Sequence, residues 1–196
     1  TLSVAATDIQ RELGLTNTQV GGLQSAFFAT YALAQLSFVA GWVVGRYHVG
    51  WALGCGFFLW SCATGLTGLA GSFVVIFALR LLLGIGESVT YPSYSRILAS
   101  EYPEHHRGFA NAMIDAGTKA GPALGILLGG LLVSQLGWRI FFFALGGGSL
   151  LWLIPWSVWM PHGKAVAARE DATDIPSIAA ILCERSAWFT AFGLFC

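Results

Sequence analysis

Four ionisable side chains, Arg80, Glu87, Asp115 and Lys119, lie inside long apolar stretches of this chain. In a membrane-spanning helix each costs about 2.5–3.5 kcal/mol unless it is paired or faces water. Together they cost on the order of ten kcal/mol, so they are expected to face one another or an aqueous cavity rather than lipid. Arg80, Gly84, Glu87 and Tyr91 follow one another by four, three and four residues, which places them on one helical stripe. Asn111, Asp115, Thr118, Lys119 and Pro122 form a comparable stripe further on, and Gln24, Tyr31 and Gln35 share an earlier face. Three helices with polar stripes in apolar bodies would line a hydrophilic path. The plainer alternative is that Arg80 neutralises Glu87 and Asp115 neutralises Lys119, the latter at i, i+4.

The elements that must carry these residues follow from composition. Hydrophobic residues make up 56% of the 196 positions and charged residues 10%, with a mean hydropathy of +0.68. A soluble domain uses about 25% charged residues, so the solvent of this chain is expected to be lipid. Five stretches are long enough to span a bilayer: 20–43, 50–70, 73–98, 106–132 and 138–160. They are too long for membrane strands and lack strict alternation, so they are expected to be helices. The expected class is therefore an all-α polytopic membrane protein. Residues 161–186 read as a polar loop, and 187–196 as the start of another apolar helix. Residues 1–6 read as the end of an earlier one, so the chain is expected to be a fragment.

With the segment before the first span placed outside, Arg46, Arg96, Arg107, Lys164, Arg169 and Arg185 fall cytoplasmic, against Arg11 and Arg139 outside. The positive-inside rule then makes the 161–186 loop cytoplasmic. Cys55 and Cys62 read as small packing residues of one apolar segment. The sequence has no H-E-x-x-H and no G-x-S-x-G, and His48, His105, His106 and His162 all fall in expected loops. Nothing calls for an enzyme, a metal or a cofactor, and no basic patch suits nucleic acid. Gly117, Gly121, Gly125 and Gly129 recur every four residues, a spacing that lets helix backbones approach closely in lipid. Pro122 within that row predicts a local kink.

The stretch Arg80-Leu-Leu-Leu-Gly84-Ile-Gly86-Glu87-Ser-Val-Thr-Tyr-Pro92 resembles the R-x-x-x-G-x-G-E-x-x-x-x-P segment of the anion:cation symporter family within the major facilitator superfamily. Tyr102-Pro103-Glu104-His-His-Arg107-Gly108 is similar to its F-P-x-x-x-R-G loop, and Gly137-Trp138-Arg139 to the G-W-R that opens helix six. Ser25-Ala-Phe-Phe-Ala-Thr-Tyr31-Ala-Leu-Ala-Gln35 is similar to its S-A-F-x-x-x-Y-x-x-x-Q pattern. The order and spacing hold over residues 1–160.

The resemblance implies the N-terminal six-helix half of a twelve-helix carrier, with five complete spans as helices two to six and partial helices one and seven. Its partner would be a C-terminal half of the same polypeptide, and its setting a bacterial inner membrane. It implies proton-coupled symport of a small organic anion such as a sugar acid. A guanidinium matches a carboxylate bidentately, so Arg80 is the expected anion ligand and Lys119 a second positive contact. Tyr31, Gln35 and Thr118 are expected to serve a polyol-like body. Glu87, and with it Asp115, is expected to carry the coupling proton, since a carboxyl out of water gains by exchanging charge for a proton. Gly41, Arg46, Arg107, Gly121 and Pro122 are the expected gating positions. The sequence departs from the superfamily's G-x-x-x-D-R-x-G-R loop at Gly45, which stands where the acid would be. Gly108, Gly117, Gly121-Pro122 and Gly125 are similar to a motif of proton-driven drug antiporters, which implies antiport as the alternative.

Overall fold

The computed structural model describes residues 2–36 and 39–159; the expectations placed on 161–186 and 187–196 lie outside the described residues. Among the described residues seven helices follow in order: α1 (Leu2–Leu13), α2 (Asn17–Leu36), α3 (Val39–Arg46), α4 (Val49–Thr67), α5 (Phe73–Ser88), α6 (Thr90–Glu101) and α7 (Glu104–Trp159). All regular structure among the described residues is helical. Val49–Thr67, Phe73–Glu101 and Glu104–Val158 are each long and apolar enough to cross a membrane, and Asn17–Gln35 qualifies jointly with Val39–Arg46.

The helix boundaries correct the expected spans in three places. The first helix runs on to Leu13 rather than ending near residue 6. Leu2, Ala5 and Ile9 face the core, and Gly14, at φ 63°, turns the chain out. The 73–98 stretch divides at Val89 into α5 and α6. The expected loop at 134–137 shrinks to one residue: Gly137, with φ 81° and ψ 162°, breaks α7 into a 104–136 arm and a 138–159 arm. That conformation suits a residue without a Cβ. Pro122 lies inside the 104–136 arm with helical φ/ψ. His105 and His106 lie in the first turns of α7 rather than in a loop.

The exterior is apolar. Trp51, Val74, Phe109 and Val158 are 74%, 71%, 72% and 69% exposed, a surface that only a non-aqueous solvent or a partner tolerates. Inside, Leu2, Ile9, Leu23, Ile76, Trp138, Phe141 and Phe142 form one core where α1, α2, α5 and the second arm of α7 meet. Cys55 is exposed and Cys62 half-buried, both as free thiols.

Close helix crossings depend on glycines outside the expected row. A Cβ at Gly84 would lie 2.7 Å from the Phe27 carbonyl oxygen on α2, and one at Gly86 would lie 3.0 Å from the Gly56 oxygen on α4. The G-x-G of α5 therefore lets two neighbours approach at once, one on either side. Gly146 meets Gly65 in the same way between α7 and α4. Of the 117–129 row, only Gly129 is packed, against Phe141; a Cβ at Gly117, Gly121 or Gly125 would meet nothing within 4 Å. Those three glycines make no close backbone approach among the described residues.

Candidate functional site

The clamped crossing of α5 sets the depth and direction of its two charges. Arg80 and Glu87 line one cavity of about 660 Å³, together with Ser3, Gln24, Thr64, Gly121 and Ser149. Aromatic rings from α2 (Phe27, Phe28) and α4 (Phe57, Trp60) form much of the remaining wall. Seven residues of helix separate Arg80 from Glu87, about 10 Å along the axis, so both can face one volume without touching.

Arg80 is only 5% exposed, yet its Nε and Nη2 are buried with no hydrogen-bond partner among the described residues. Its nearest compensation is the Phe142 ring, 5.9 Å from Cζ to centroid. A buried guanidinium is normally satisfied by a carboxylate or by carbonyls. Arg80 and Glu87 form no ion pair, so the reading in which they simply neutralise each other does not hold.

Of the other expected residues, Tyr31 bonds with Gln35 and lies near Glu87, off the cavity wall. Tyr31 and Gln35 lie further along α2 than Gln24, and neither lines the cavity. The Gln35 amide donates from Nε2 to the Ser88 carbonyl oxygen at 2.9 Å. Ser88 O is the acceptor that the amide of residue 92 would take in a continuous helix, and Pro92 has no such amide. Gln35 thus completes a hydrogen bond that Pro92 leaves unmade. On α7, Asp115 and Lys119 are exposed and form no ion pair with each other. Asp115 accepts from Asn111 Nδ2 at 3.3 Å, while the Thr118 hydroxyl donates to the Asp115 backbone oxygen at 2.8 Å. Gly121 reaches the cavity; its neighbour Pro122 is exposed. Gly41 and Arg46 are exposed on α3.

Three arginines outside the cavity serve carbonyls at or just past helix ends. Arg107 donates from Nε to the Tyr102 oxygen at 3.0 Å and from Nη2 to the Ala99 oxygen at 2.8 Å, serving carbonyls at the end of α6. Arg96 of α6 donates to the Val44 carbonyl of α3. At the opposite end, Arg139 Nη1 donates to the oxygens of Gly68 and Ala70 at 2.9 and 3.1 Å, just past α4. Its Nη2 pairs with Glu12 at 2.8 Å, and Trp138 Nε1 donates to the other Glu12 oxygen at 2.6 Å. The G-W-R stretch therefore works as a junction: Gly137 turns, Trp138 buries, and Arg139 joins α1, α4 and α7. Glu12 went unread in the sequence because its partners lie 126 and 127 positions away.

The bonds from Arg139 and Trp138 hold the Glu12 carboxyl below its ordinary pKa. A depressed folded value means that the stabilisation is present above the unfolded value of 4.5 and is lost as pH falls through the lowered folded one. Glu12→Gln is expected to lower the thermal midpoint of the full-length protein by about 1–3 °C at neutral pH, the group being half exposed. Melting curves should converge with those of the parent in strong acid.

Comparison with known proteins agrees with this architecture. The family profile described as Major Facilitator Superfamily matches residues 1–196. The chain is 33% identical over 177 residues to the probable sulfoacetate transporter of Cupriavidus necator, covering 90% of this chain and 41% of that protein. It is 31% identical over 162 residues to the probable galactarate/D-glucarate transporter of Bacillus subtilis, covering 80% and 35%. It is 32% identical over 161 residues to the D-galactonate transporter of Escherichia coli, covering 82% and 37%. The chain thus spans about two-fifths of the length of these relatives.

Proposed function

Since the chain belongs to the Major Facilitator Superfamily, we propose that the whole protein is a secondary transporter that moves a small organic anion in symport with a proton. It is an integral membrane protein, with apolar helices exposed along their length. The observation that carries the reading is the unpartnered, buried Arg80 guanidinium lining a cavity of about 660 Å³. Removing such a charge from water costs several kcal/mol unless a counter-ion replaces the lost solvation. An anion entering the cavity supplies that counter-ion. The relatives' names refer to sulfoacetate, galactarate, D-glucarate and D-galactonate, which supports an anionic cargo.

Charge balance supplies the argument for a proton. With Glu87 ionised, Arg80 and Glu87 sum to zero, and a monovalent anion would leave the cavity at minus one. Unbalanced charge is expensive where the surroundings are poorly polarisable. Protonating Glu87 as the anion reaches Arg80 returns the sum to zero, so the two ligands enter together. In this reading Gln24 orients the cargo within the cavity, and Asp115 and Lys119 face a second half of the polypeptide that closes over it. The membrane is a bacterial inner membrane, with the 161–186 loop on the cytoplasmic side. Loss of reactivity of a cysteine placed in that loop towards an impermeant thiol reagent in intact cells would test the orientation.

Glu87→Gln, which makes the site permanently neutral at that position, is expected to abolish accumulation driven by a pH gradient while leaving exchange of labelled for unlabelled anion. Both are read in proteoliposomes of the full-length protein. Equal accumulation by parent and variant would refute the role of Glu87. The placement of Gly121, of the antiporter-like glycine row, on the cavity wall favours one alternative, proton-driven antiport. Reversing the imposed pH gradient separates the two, because symport moves anion with the proton and antiport against it.

A further inference from the structure

We propose that the anion held at Arg80 carries an aromatic ring or another flat apolar body, as in an arylcarboxylate or arylalkylcarboxylate, in preference to a polyhydroxylated acid. This deepens the anion reading of the cavity and rests on it. Facing the guanidinium's volume are the rings of Phe27 and Phe28 from α2 and of Phe57 and Trp60 from α4. Each pair is packed ring to ring, with centroids 5.1 Å apart for Phe27 and Phe28 and 4.7 Å apart for Phe57 and Trp60. They form two stiff aromatic walls. Phe28 lines the cavity, so a flat ligand laid against its cavity face buries apolar surface.

A polyhydroxylated acid makes a different demand. Each hydroxyl that leaves water needs a partner, and an unpaired one costs about 1–3 kcal/mol. Ser3, Gln24, Thr64 and Ser149 offer some partners around the rim of the volume, but the aromatic faces offer none. The residues whose chemistry best suits a polyol, Tyr31 and Gln35, do not line the cavity, and the Gln35 amide is already engaged by the Ser88 carbonyl. One fixed cation beside two aromatic walls matches a carboxylate on a ring. Stacking of this kind also has a geometric preference beyond area alone.

The test uses purified full-length protein and two probes of equal charge, phenylacetate and D-gluconate, with affinities from isothermal titration. Phenylacetate is expected to bind about tenfold more tightly, the scale of one good aromatic contact. Phe28→Ala, at an exposed ring whose loss leaves the packing beneath it intact, should reduce the ratio of the two affinities towards one. Trp60→Leu should do the same. Gluconate binding as tightly as phenylacetate, or both variants leaving the ratio unchanged, would overturn the inference. In that event, loss of gluconate binding in Arg80→Gln would leave the anion reading standing. Failure of both probes to bind the folded parent protein would overturn this inference and the anion reading together.

Discussion

Replacing Arg80 with leucine is expected to cut anion uptake sharply while raising, or at least preserving, the thermal stability of the protein. The two effects have opposite signs because the guanidinium is buried at 5% exposure with two nitrogens unpartnered. An orphaned charge contributes nothing to the fold that an apolar side chain of similar size cannot supply, and replacing it relieves a desolvation penalty. The loss of uptake should be about 10- to 150-fold, corresponding to a charge-assisted hydrogen-bond contribution of about 1.5–3 kcal/mol. Arg80→Lys should recover only part of this, since an ammonium is a point charge without the planar fork that grips a carboxylate. Uptake in proteoliposomes and melting of the detergent-solubilised protein would be measured on the same preparations. A leucine variant that melts several degrees below the parent would mean that Arg80 holds the bundle together, and the ligand reading would fall.

Gly84→Val should have the opposite character, destroying the fold before it touches transport. The Phe27 carbonyl and the Tyr31 amide of α2 would lie 2.7 and 3.1 Å from a Cβ at position 84. These are backbone atoms inside a helix and cannot rotate away. Even alanine requires α2 and α5 to separate, and overpacking of this kind costs about 1–3 kcal/mol; valine adds two further carbons at the same place. Gly121→Ala provides the contrast, because a Cβ there meets nothing within 4 Å. Monodisperse yield on gel filtration and the melting midpoint should fall steeply for Gly84→Val and moderately for Gly84→Ala. Comparable yields for all three would remove the close crossing from the account of the motif.

How far the site could be read in advance follows from what helical phase encodes. A seven-residue separation puts Arg80 and Glu87 on one face whatever surrounds them, and the structure places both on one cavity. Phase does not encode where along a helix a neighbour crosses. Gln24, Tyr31 and Gln35 share a stripe, but α2 meets α5 at the level of Phe27 and Gly84, so of the three polar groups only Gln24 reaches the open volume. The Asp115 and Lys119 stripe illustrates a related limit, because a polar face shows that something polar adjoins it without saying what. Glycine spacing had the same weakness. The regular 117–125 row is unpacked, while Gly56, Gly65, Gly84, Gly86 and Gly146, which have no common period, sit at the crossings. The membrane-spanning elements were legible because lipid enforces length and apolarity over whole segments. The Glu12 junction was not, because it is made by residues brought together only after the helices pack.

The bond from Gln35 to the Ser88 carbonyl has a mechanical meaning. A proline-broken helix is free to swivel at the break, and α6, which follows it, carries the Arg96 link to α3. By occupying the vacant acceptor at 2.9 Å, the α2 amide fastens the pivot itself rather than either limb. Because Ser88 closes α5, a tilt of α6 then turns about a point held against α2. Whatever swing α6 makes is hinged on a spot that α2 keeps still, a single residue from Glu87.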